Sequence, residues 1–283
     1  MSGKILGNLP VSVVICTLNE AENIEGVVQA CRTNYPQEII VVDGGSQDGT
    51  QELALSLGVR VIECGSAGLA SQTWLGVQSA SCPFVALIHA DDRPSTGFLE
   101  TLLRELDQYG LDAIDGVTHP AEVSTYWQRG WANAIMTLRT EVQETIMVGR
   151  PALYRRDCLI QVGLDPEFKY ATEDTDLSRC LQVHGKKQGH GTGISFRIHE
   201  KGFRQSVGKW VSYGRGYAQF ASKYPDRWLP VFFHAFLGVG IVRYMRKLPG
   251  SLTLLPFYLL YGFFCGLGFG LGYLRLNRYR EVG

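Results

Sequence analysis

The sequence predicts an α/β protein with an open, mostly parallel sheet, followed by a hydrophobic helical segment at its C-terminal end. Two observations support this prediction. In the first part of the chain, apolar runs that could be buried on both faces of a sheet alternate with helix-like stretches. Near the C-terminal end, residues 252–274 form a run without a charged side chain, long enough for a membrane helix.

The first predicted strand begins at Val11, where VSVVIC is mostly apolar at successive positions. It leads into TLNEAENI, where Asn19 or a neighbour can cap a helix. A second strand over 38–43, EIIVVD, ends in the turn-rich GGSQDGT, and the runs VRVIEC and FVALIHA give a third and a fourth strand. Strands and helices that alternate in this way are typical of right-handed βαβ units.

The middle of the chain is predicted to be largely helical. Residues 121–147 lack proline and predict one or two amphipathic helices. The stretch RPALYRRDCLIQVG then predicts a strand or turn and a short helix. A further helix opens at ATEDTDLSRC, because acidic residues in a first turn complement the helix dipole.

The charge is balanced overall but unevenly distributed. Residues 1–196 hold 14 Lys and Arg against 24 Asp and Glu, whereas residues 197–283 hold 13 against 3. A basic, apolar C-terminal third suits anionic lipid headgroups or phosphate. Since no nucleic-acid-binding motif accompanies these charges, nucleic acid is not an expected partner.

The cysteine spacing and the N-terminal sequence indicate the cellular compartment of the first domain. The seven cysteines include no CxxC pair and predict neither a zinc site nor a disulfide framework. The opening MSGKILGNLP lacks the apolar core of a signal peptide. We therefore expect the first domain to stay in a reducing cytosol.

Polar side chains cluster where three of the predicted strands end. In parallel sheets, ligands bind beyond the carboxyl ends of the strands. The residues at these ends are Thr17, Asn19 and Glu20 after the first strand, Asp43 after the second, and His89, Asp91 and Asp92 after the fourth. This clustering predicts a ligand site at the carboxyl edge.

The acids at this edge suit a nucleotide with a diphosphate. Asp43 can accept hydrogen bonds from a pyrimidine N–H or a ribose hydroxyl, although a purely turn-forming aspartate is the alternative. GGSQDGT lacks the GK[ST] ending of an ATP-type phosphate loop. Asp91 and Asp92 can hold Mg²⁺ or Mn²⁺ together with diphosphate oxygens, or they can simply cap a loop.

A third acidic group could act as a general base. Asp174 in TED could accept the proton of an acceptor hydroxyl, with Glu173 beside it. Without further context, both acids are also favourable first-turn residues of a helix.

Taken together, VSVVICTLNE, VVDGGSQDGT, HADD and TEDTDLSR resemble the patterns of the family 2 glycosyltransferases, in the same order over roughly residues 10–190. The resemblance implies a GT-A fold and an inverting, metal-dependent transfer of a hexosyl group from a nucleotide diphosphate sugar, with a UDP-sugar expected. It implies Asp43 on the nucleotide, Asp91 as the main protein ligand of the metal with Asp92 as a second candidate, and Asp174 as the base. The nucleotide-binding set it suggests also includes Thr17, Asn19, Glu20 and Ser46.

The sequence departs from the family pattern in two places. His89 stands where the first acid of a D-x-D motif is usual, and the Q-x-x-R-W sequence of processive synthases is absent, which disfavours repeated polymerisation.

The stretch RIHEKGFRQSVGKWVSYGRGYAQF, with the hydrophobic tail behind it, looks like bacterial succinoglycan-type transferases that act on polyprenyl diphosphate sugars. There His199 could join the metal or the leaving diphosphate, and Arg204 and Arg215 could hold phosphate. The alternatives are a structural histidine and arginines that face lipid headgroups.

The expected organisation follows from these patterns. Residues 1–196 form the catalytic domain, 197–228 a basic amphipathic segment at the membrane surface, and 229–283 a membrane hairpin or a pair of re-entrant helices. We expect the catalytic domain on the cytoplasmic face of the membrane. The expected partners are a polyprenyl-linked saccharide as acceptor and membrane lipid, and self-association into a homo-oligomer is left open.

Two other classes of protein share parts of these patterns. A sugar nucleotidyltransferase should carry a glycine-rich loop after its first strand, and CTLNEAEN has no glycine. A catalytically silent membrane scaffold with a transferase-like fold stays open because of His89. Nucleotide-sugar binding without turnover would indicate the scaffold.

Overall fold

The computed structural model describes residues 8–65, 68–135, 139–168, 170–227, 231–232 and 252–280. The chain divides into two compact units. The first unit consists of Met1–Ala121, Thr137–Glu167 and Asp174–Ile198. The second consists of Glu122–Met136, Phe168–Glu173 and His199–Gly283.

The first unit is built on one sheet. Its strands are β1 (Leu9–Thr17), β2 (Pro36–Asp43), β3 (Arg60–Glu63), β4 (Phe84–His89), β5 (Asp92–Pro94), β6 (Ala113–Pro120), β7 (Gln143–Thr145), β8 (Ala152–Arg155) and β9 (Gln188–Arg197). Their order is β3-β2-β1-β4-β8-β6-β9-β5, and β7 pairs with β9. The first four neighbours are parallel, β6 and β9 are parallel to each other, and β8 lies antiparallel between β4 and β6. The predicted α/β class is confirmed.

Helices cover both faces of this sheet. Over the described residues of both units, the α-helices are α1 (Ile24–Arg32), α2 (Thr50–Ser56), α3 (Leu69–Ser79), α4 (Phe98–Gln108), α5 (Tyr126–Ile135), α6 (Arg156–Val162), α7 (Glu173–Val183), α8 (Phe203–Lys223) and α9 (Leu255–Arg280). From β1, Val13 and Ile15 join the core formed with α1 and α4, whereas Val14 joins the core formed with α3, α6 and α7. Burial on both faces explains why β1 is apolar at nearly every position.

One local expectation was wrong. Helix α5 covers Tyr126–Ile135, as one of the predicted helices, but Gln143–Thr145 forms an edge strand that pairs with β9 instead of a helix. Pairing with a distant strand decided this conformation, which local periodicity does not reveal. The N-cap position of α1 is occupied by Asn23, a neighbour of Asn19, without a side-chain capping bond, and Asn19 itself has a left-handed φ of 57° in the preceding loop.

Helices α5, α8 and α9 belong to the second unit. Residues Leu255–Arg275 of α9 are long and apolar enough to cross a membrane, by length and composition alone. Apart from Val231 and Phe232, the first predicted apolar segment, 229–242, lies outside the described residues.

Candidate active site

The carboxyl ends of β1, β2 and β4 lie side by side at one edge of the sheet. Thr17 at the end of β1 is level with Asp43 at the end of β2, and Cys16 is level with His89 at the end of β4. The first unit therefore brings together the predicted polar residues that follow these strands, as expected for a parallel sheet.

Asp43 is the centre of a hydrogen-bond network in this edge. Its buried carboxylate accepts bonds from the hydroxyls of Thr17 (2.7 Å) and Ser46 (2.6 Å) at Oδ2. At Oδ1 it accepts bonds from the backbone N–H groups of Gly45 (3.0 Å) and Ser46 (2.8 Å) and from the amide of Gln51 (2.7 Å). Burial alone would raise the pKa of Asp43, but the bonds from Ser46, Gln51 and Thr17 outweigh it and hold the pKa below its usual value.

The loops after β1 and β2 interlock through four further bonds. The backbone N–H of Asn19 donates to the Ser46 hydroxyl (2.7 Å), and the Asn19 side-chain oxygen accepts the N–H of Gln47 (2.9 Å). The N–H of Glu20 donates to the Thr50 hydroxyl (2.9 Å), and that of Ala21 to the Asp48 carboxylate (2.9 Å). Asn19, Glu20 and Ser46 thus fix the shape of the edge as well as lining it.

A buried glutamine of α3 fixes the same edge from beneath. The side-chain amide of Gln72 donates to the carbonyls of Thr17 (2.7 Å) and Val42 (2.9 Å). A Cβ on Gly44 would lie 3.0 Å from this amide, closer than an ordinary contact, so a larger residue there would press on Gln72. Gln72 is not identifiable from the sequence, because a polar residue in a helix gives no indication of what it contacts.

The two adjacent acids after β4 have different environments. Asp92 is fully buried, and Arg197 donates to both of its oxygens, at 2.7 Å from Nε and 2.9 Å from Nη2. Asp91 keeps a side chain that is 22% exposed, and its Oδ1 lies 3.9 Å from the Arg197 Nε. Its carbonyl accepts the N–H of Ile198 (2.9 Å), which ties the loop to the residue that follows β9. Of the pair, Asp91 is the more exposed carboxylate.

A divalent metal fits this edge only if the substrate completes its ligands. Among the residues that the structure describes, no group of three or more His, Cys, Asp or Glu side chains could hold a metal ion alone. Mg²⁺ is commonly held by one or two carboxylates, with substrate phosphates and water filling the other positions. The partly exposed Asp91 suits that arrangement, whereas Asp92 has its oxygens engaged by Arg197.

The predicted base lies at the first turn of α7. Asp174 is partly exposed, and its Oδ1 accepts the N–H of Thr175 (2.7 Å), whereas Glu173 is buried. Thr172, just before the helix, has a φ of 102°, which is unusual for a β-branched residue. Such strain, worth about 1–3 kcal/mol, clusters at functional sites.

The other predicted residues belong to the second unit. His199 is buried, and its ring stacks on that of Trp131 at 5.7 Å between centroids. Arg204 is exposed in the first turn of α8, and the guanidinium of Arg215 lies 5.7 Å from the ring centroid of Tyr170. Glu173 falls in this unit as well.

Comparison with known proteins assigns the family. The family model described as glycosyl transferase family 2 matches residues 12–163, more than half of the chain. The chain belongs to glycosyl transferase family 2. Among similar glycosyltransferases, an uncharacterized one from Mycobacterium tuberculosis is 32% identical over 158 residues, which cover 54% of this chain and 71% of that protein. Glycosyltransferase AglE of Haloferax volcanii is 33% identical over 116 residues, 38% of each chain.

Solved structures of two glycosyltransferases share the fold. Glucosyl-3-phosphoglycerate synthase of Mycobacterium tuberculosis, in complex with Mn²⁺, UDP and glucosyl-3-phosphoglycerate, has a TM-score of 0.55 and 20% identity, covering 75% of this chain and 78% of its own. The mannosyltransferase PcManGT of Pyrobaculum calidifontis, in complex with GDP-Man and Mn²⁺, has a TM-score of 0.59 and 16% identity, covering 98% and 77%. The GT-A fold expected for this glycosyltransferase is confirmed.

This glycosyltransferase also contains a buried polar centre that the sequence analysis did not single out. Asp115 on β6 accepts bonds from Arg139 (2.6 Å) and from the N–H of Gly149 (3.1 Å), and it lies 2.9 Å from the Nδ1 of His190. These contacts anchor the segment before β8 to the sheet. An aspartate inside the apolar run DAIDGV is the one feature that could have indicated a buried partner.

Replacing the carboxylate at the centre of the edge should reduce stability. Asp43→Asn is expected to lower the free energy of unfolding by about 1.5–3 kcal/mol at pH 7, because the neutral amide keeps one acceptor oxygen and its NH2 group cannot accept the bonds made to the other. Urea denaturation of the purified protein measures this. Asp107→Asn, at an exposed carboxylate 2.7 Å from Arg155, is the control and should cost less than about 1 kcal/mol.

The same variant has a defined pH dependence. Because the folded state holds the pKa of Asp43 below that of the unfolded chain, the carboxylate stabilises the fold above about pH 4. That stability is lost as the pH falls through the folded-state pKa. The difference between wild type and Asp43→Asn should therefore shrink on acidification. Equal stability of the two proteins at pH 7 would contradict the role of Asp43.

Proposed function

We propose that this family 2 glycosyltransferase moves a hexosyl group from a nucleotide diphosphate sugar, with UDP as the expected nucleotide, to a polyprenyl diphosphate-linked saccharide at the cytoplasmic membrane surface. The observation that carries the proposal is the difference between Asp91 and Asp92. At the carboxyl edge of the sheet, the Asp91 side chain is 22% exposed, whereas the buried Asp92 accepts hydrogen bonds from Arg197 at both oxygens. Neighbours of the same fold are solved with UDP or GDP-mannose and Mn²⁺.

The loops after β1 and β2 form the proposed nucleotide site. Thr17, Asn19, Glu20 and Ser46 surround the edge, with Asn19 exposed. Asp43 already accepts five hydrogen bonds from the protein, so we assign it to holding this loop in the shape that the nucleotide meets. Its contribution to nucleotide affinity is therefore indirect.

The donor diphosphate requires positive charge as it leaves. Asp91 is the proposed carboxylate ligand of Mg²⁺ or Mn²⁺, with His199 as a second candidate. When bound, the cation stabilises the charge that develops on the leaving diphosphate. Asp92 is proposed to fix the loop through Arg197 rather than to bind the cation. Arg204 and Arg215 are proposed to contact acceptor or lipid phosphate.

Asp174 is the proposed general base. The acceptor hydroxyl attacks the anomeric carbon while the bond from that carbon to the diphosphate oxygen breaks, which inverts the configuration. Asp174 takes the hydroxyl proton as the new bond forms. Its partial exposure at the start of α7 suits a group that must meet substrate, whereas the buried Glu173 suits a supporting role.

A lipid-linked acceptor is supported by the C-terminal third. The chain carries an apolar helix of membrane-spanning length, and residues 197–283 are strongly basic. Both features favour an anionic membrane surface, where polyprenyl-linked saccharides reside.

The test is a donor and acceptor panel on the full-length enzyme in lipid. Purified protein is incubated with UDP- and GDP-sugars, with Mn²⁺, and with a polyprenyl diphosphate-linked sugar or a matched soluble sugar. Product formed only on the lipid-linked acceptor would support the proposal. Equal product formation on the soluble sugar would contradict the assignment of a lipid-linked acceptor. Nucleotide-sugar binding without any product would indicate the silent scaffold.

A further inference from the structure

Helix α9 exposes one continuous apolar face. The exposed large side chains on this face recur every three or four residues, and we call them the α9 stripe: Leu255, Leu259, Phe263, Leu267, Leu271 and Leu274. They are between 37% and 64% exposed. From the start of α9 to Leu274, each exposed position is apolar, and the first exposed charge is Arg275. An uninterrupted apolar face of this length marks an interaction surface.

The opposite face of α9 packs closely against α8. Phe257, Tyr258 and Phe269 are buried on this face. A Cβ added to Gly268 would lie 2.2 Å from the carbonyl oxygen of Val211, and one added to Gly214 would lie 1.9 Å from that of Cys265. The two backbones are therefore in direct contact at glycines, so lipid cannot separate α9 from α8 without loss of this packing.

Helix α8 accompanies α9 along most of its length. The Trp210 ring lies 5.2 Å from that of Phe257 near the start of α9. A Cβ on Gly272, near the far end, would lie 3.0 Å from the Cβ of Ala218. The contacts advance in the same direction on both helices, so a bilayer that contained all of α9 would also contain the middle of α8.

That part of the second unit carries charged and polar groups. Lys209 on α8 forms a 2.8 Å ion pair with Glu200. The Cα of Arg215 would lie 3.1 Å from a Cβ on Gly272, and the Tyr258 hydroxyl donates to Asn133 of α5. A helix that crossed the bilayer in this packing would carry these groups into hydrocarbon, which is unfavourable for charged side chains.

We infer that α9 lies along the membrane surface with the α9 stripe in the acyl region, instead of crossing the bilayer. The inference rests on the membrane attachment in the proposed function and specifies how it is made. An in-plane helix buries the stripe and leaves α8 and α5 on the aqueous side. Arg275, which directly follows the stripe, is exposed and would meet anionic headgroups in that orientation. A second copy is a poorer occupant, because it would bring like charges together.

Vesicle flotation of the full-length protein tests the surface. Wild type should bind phosphatidylcholine vesicles that contain about 30% phosphatidylglycerol more strongly than pure phosphatidylcholine vesicles. The double variant Leu259→Glu and Phe263→Glu should lower the bound fraction about tenfold or more. Leu55→Glu, at a similarly exposed leucine of α2, is the matched control and should bind as wild type does. Unchanged flotation of the double variant, or its binding only to another copy of the protein, would overturn the inference.

Topology and nucleotide binding separate the remaining outcomes. In sealed inverted vesicles, an epitope placed after Gly283 should be digested by added protease together with the catalytic domain. Protection of the epitope while the catalytic domain is digested would show that α9 crosses and would overturn the inference. UDP binding by the double variant should match wild type, because the stripe lies outside the proposed donor site. If the wild-type protein floats with vesicles but binds no nucleotide sugar, the proposed function is refuted, whereas the inference that the α9 stripe binds lipid still holds.

Discussion

Asp174→Asn is expected to lower sugar transfer by about 10²–10⁴-fold, the contribution typical of a positioned general base. The amide has nearly the size of the carboxylate and can still accept the 2.7 Å bond from the Thr175 N–H at the start of α7. The fold and the affinity for the nucleotide sugar should therefore be unchanged. Product formation and equilibrium nucleotide binding, measured on the same preparation, separate the two effects.

A matched control distinguishes catalysis from helix stability. Asp157 is an exposed aspartate in the first turn of α6, so it shares the dipole position of Asp174 without its proposed role. Asp157→Asn should leave transfer near the wild-type rate. If Asp174→Asn also retains near wild-type turnover, the base lies elsewhere in the chain.

The local conformation before α7 supports a constrained position for the base. Thr172 keeps a φ of 102°, and a Cβ on Gly216 of α8 would lie 1.6 Å from the carbonyl oxygen of Ala171. Within the second unit, α8 thus packs directly on the backbone that precedes Glu173. A strained residue held by close packing beside a candidate base is typical of a functional site.

The sequence predicts the first half of the sheet well, for a physical reason. β1, β2 and β4 are buried on both faces, which makes them apolar at successive positions and distinguishes them from helices. In a parallel arrangement their carboxyl ends must share one edge. The positions of Thr17, Asp43 and Asp91 at that edge therefore follow from the sequence.

The other half of the sheet depends on pairings that local sequence does not encode. β8 lies antiparallel between β4 and β6, and β7 pairs with β9 more than forty positions along the chain. Segment 143–145 was predicted as helix because its partner strand cannot be identified from periodicity. Long-range pairing overrode the local pattern there.

The roles of individual acids were the hardest part of the site to predict. HADD presents Asp91 and Asp92 as equivalent neighbours, and only the fold brings Arg197, from the far end of β9, onto Asp92. Likewise, Asp43 ends a strand as a ligand-binding acid would, yet five donors from the protein already surround it. The roles proposed for these acids depend on their burial and partners, which the sequence does not give.

The contrast between the two acids leads to the second large expected effect. Asp91→Asn should reduce sugar transfer by at least about 10²-fold and weaken Mn²⁺ binding in the presence of UDP, with little change in stability, because its side chain is partly exposed. Asp92→Asn should instead cost about 3–5 kcal/mol of stability, because it removes the buried negative charge that pairs with the Arg197 guanidinium and one of the two oxygens to which it donates. Calorimetric Mn²⁺ titration with UDP and urea denaturation measure the two properties separately. If Asp92→Asn loses Mn²⁺ binding while Asp91→Asn retains it, the assignment of the metal ligand is reversed. Full activity of the wild-type enzyme in excess EDTA would show that the reaction needs no divalent metal.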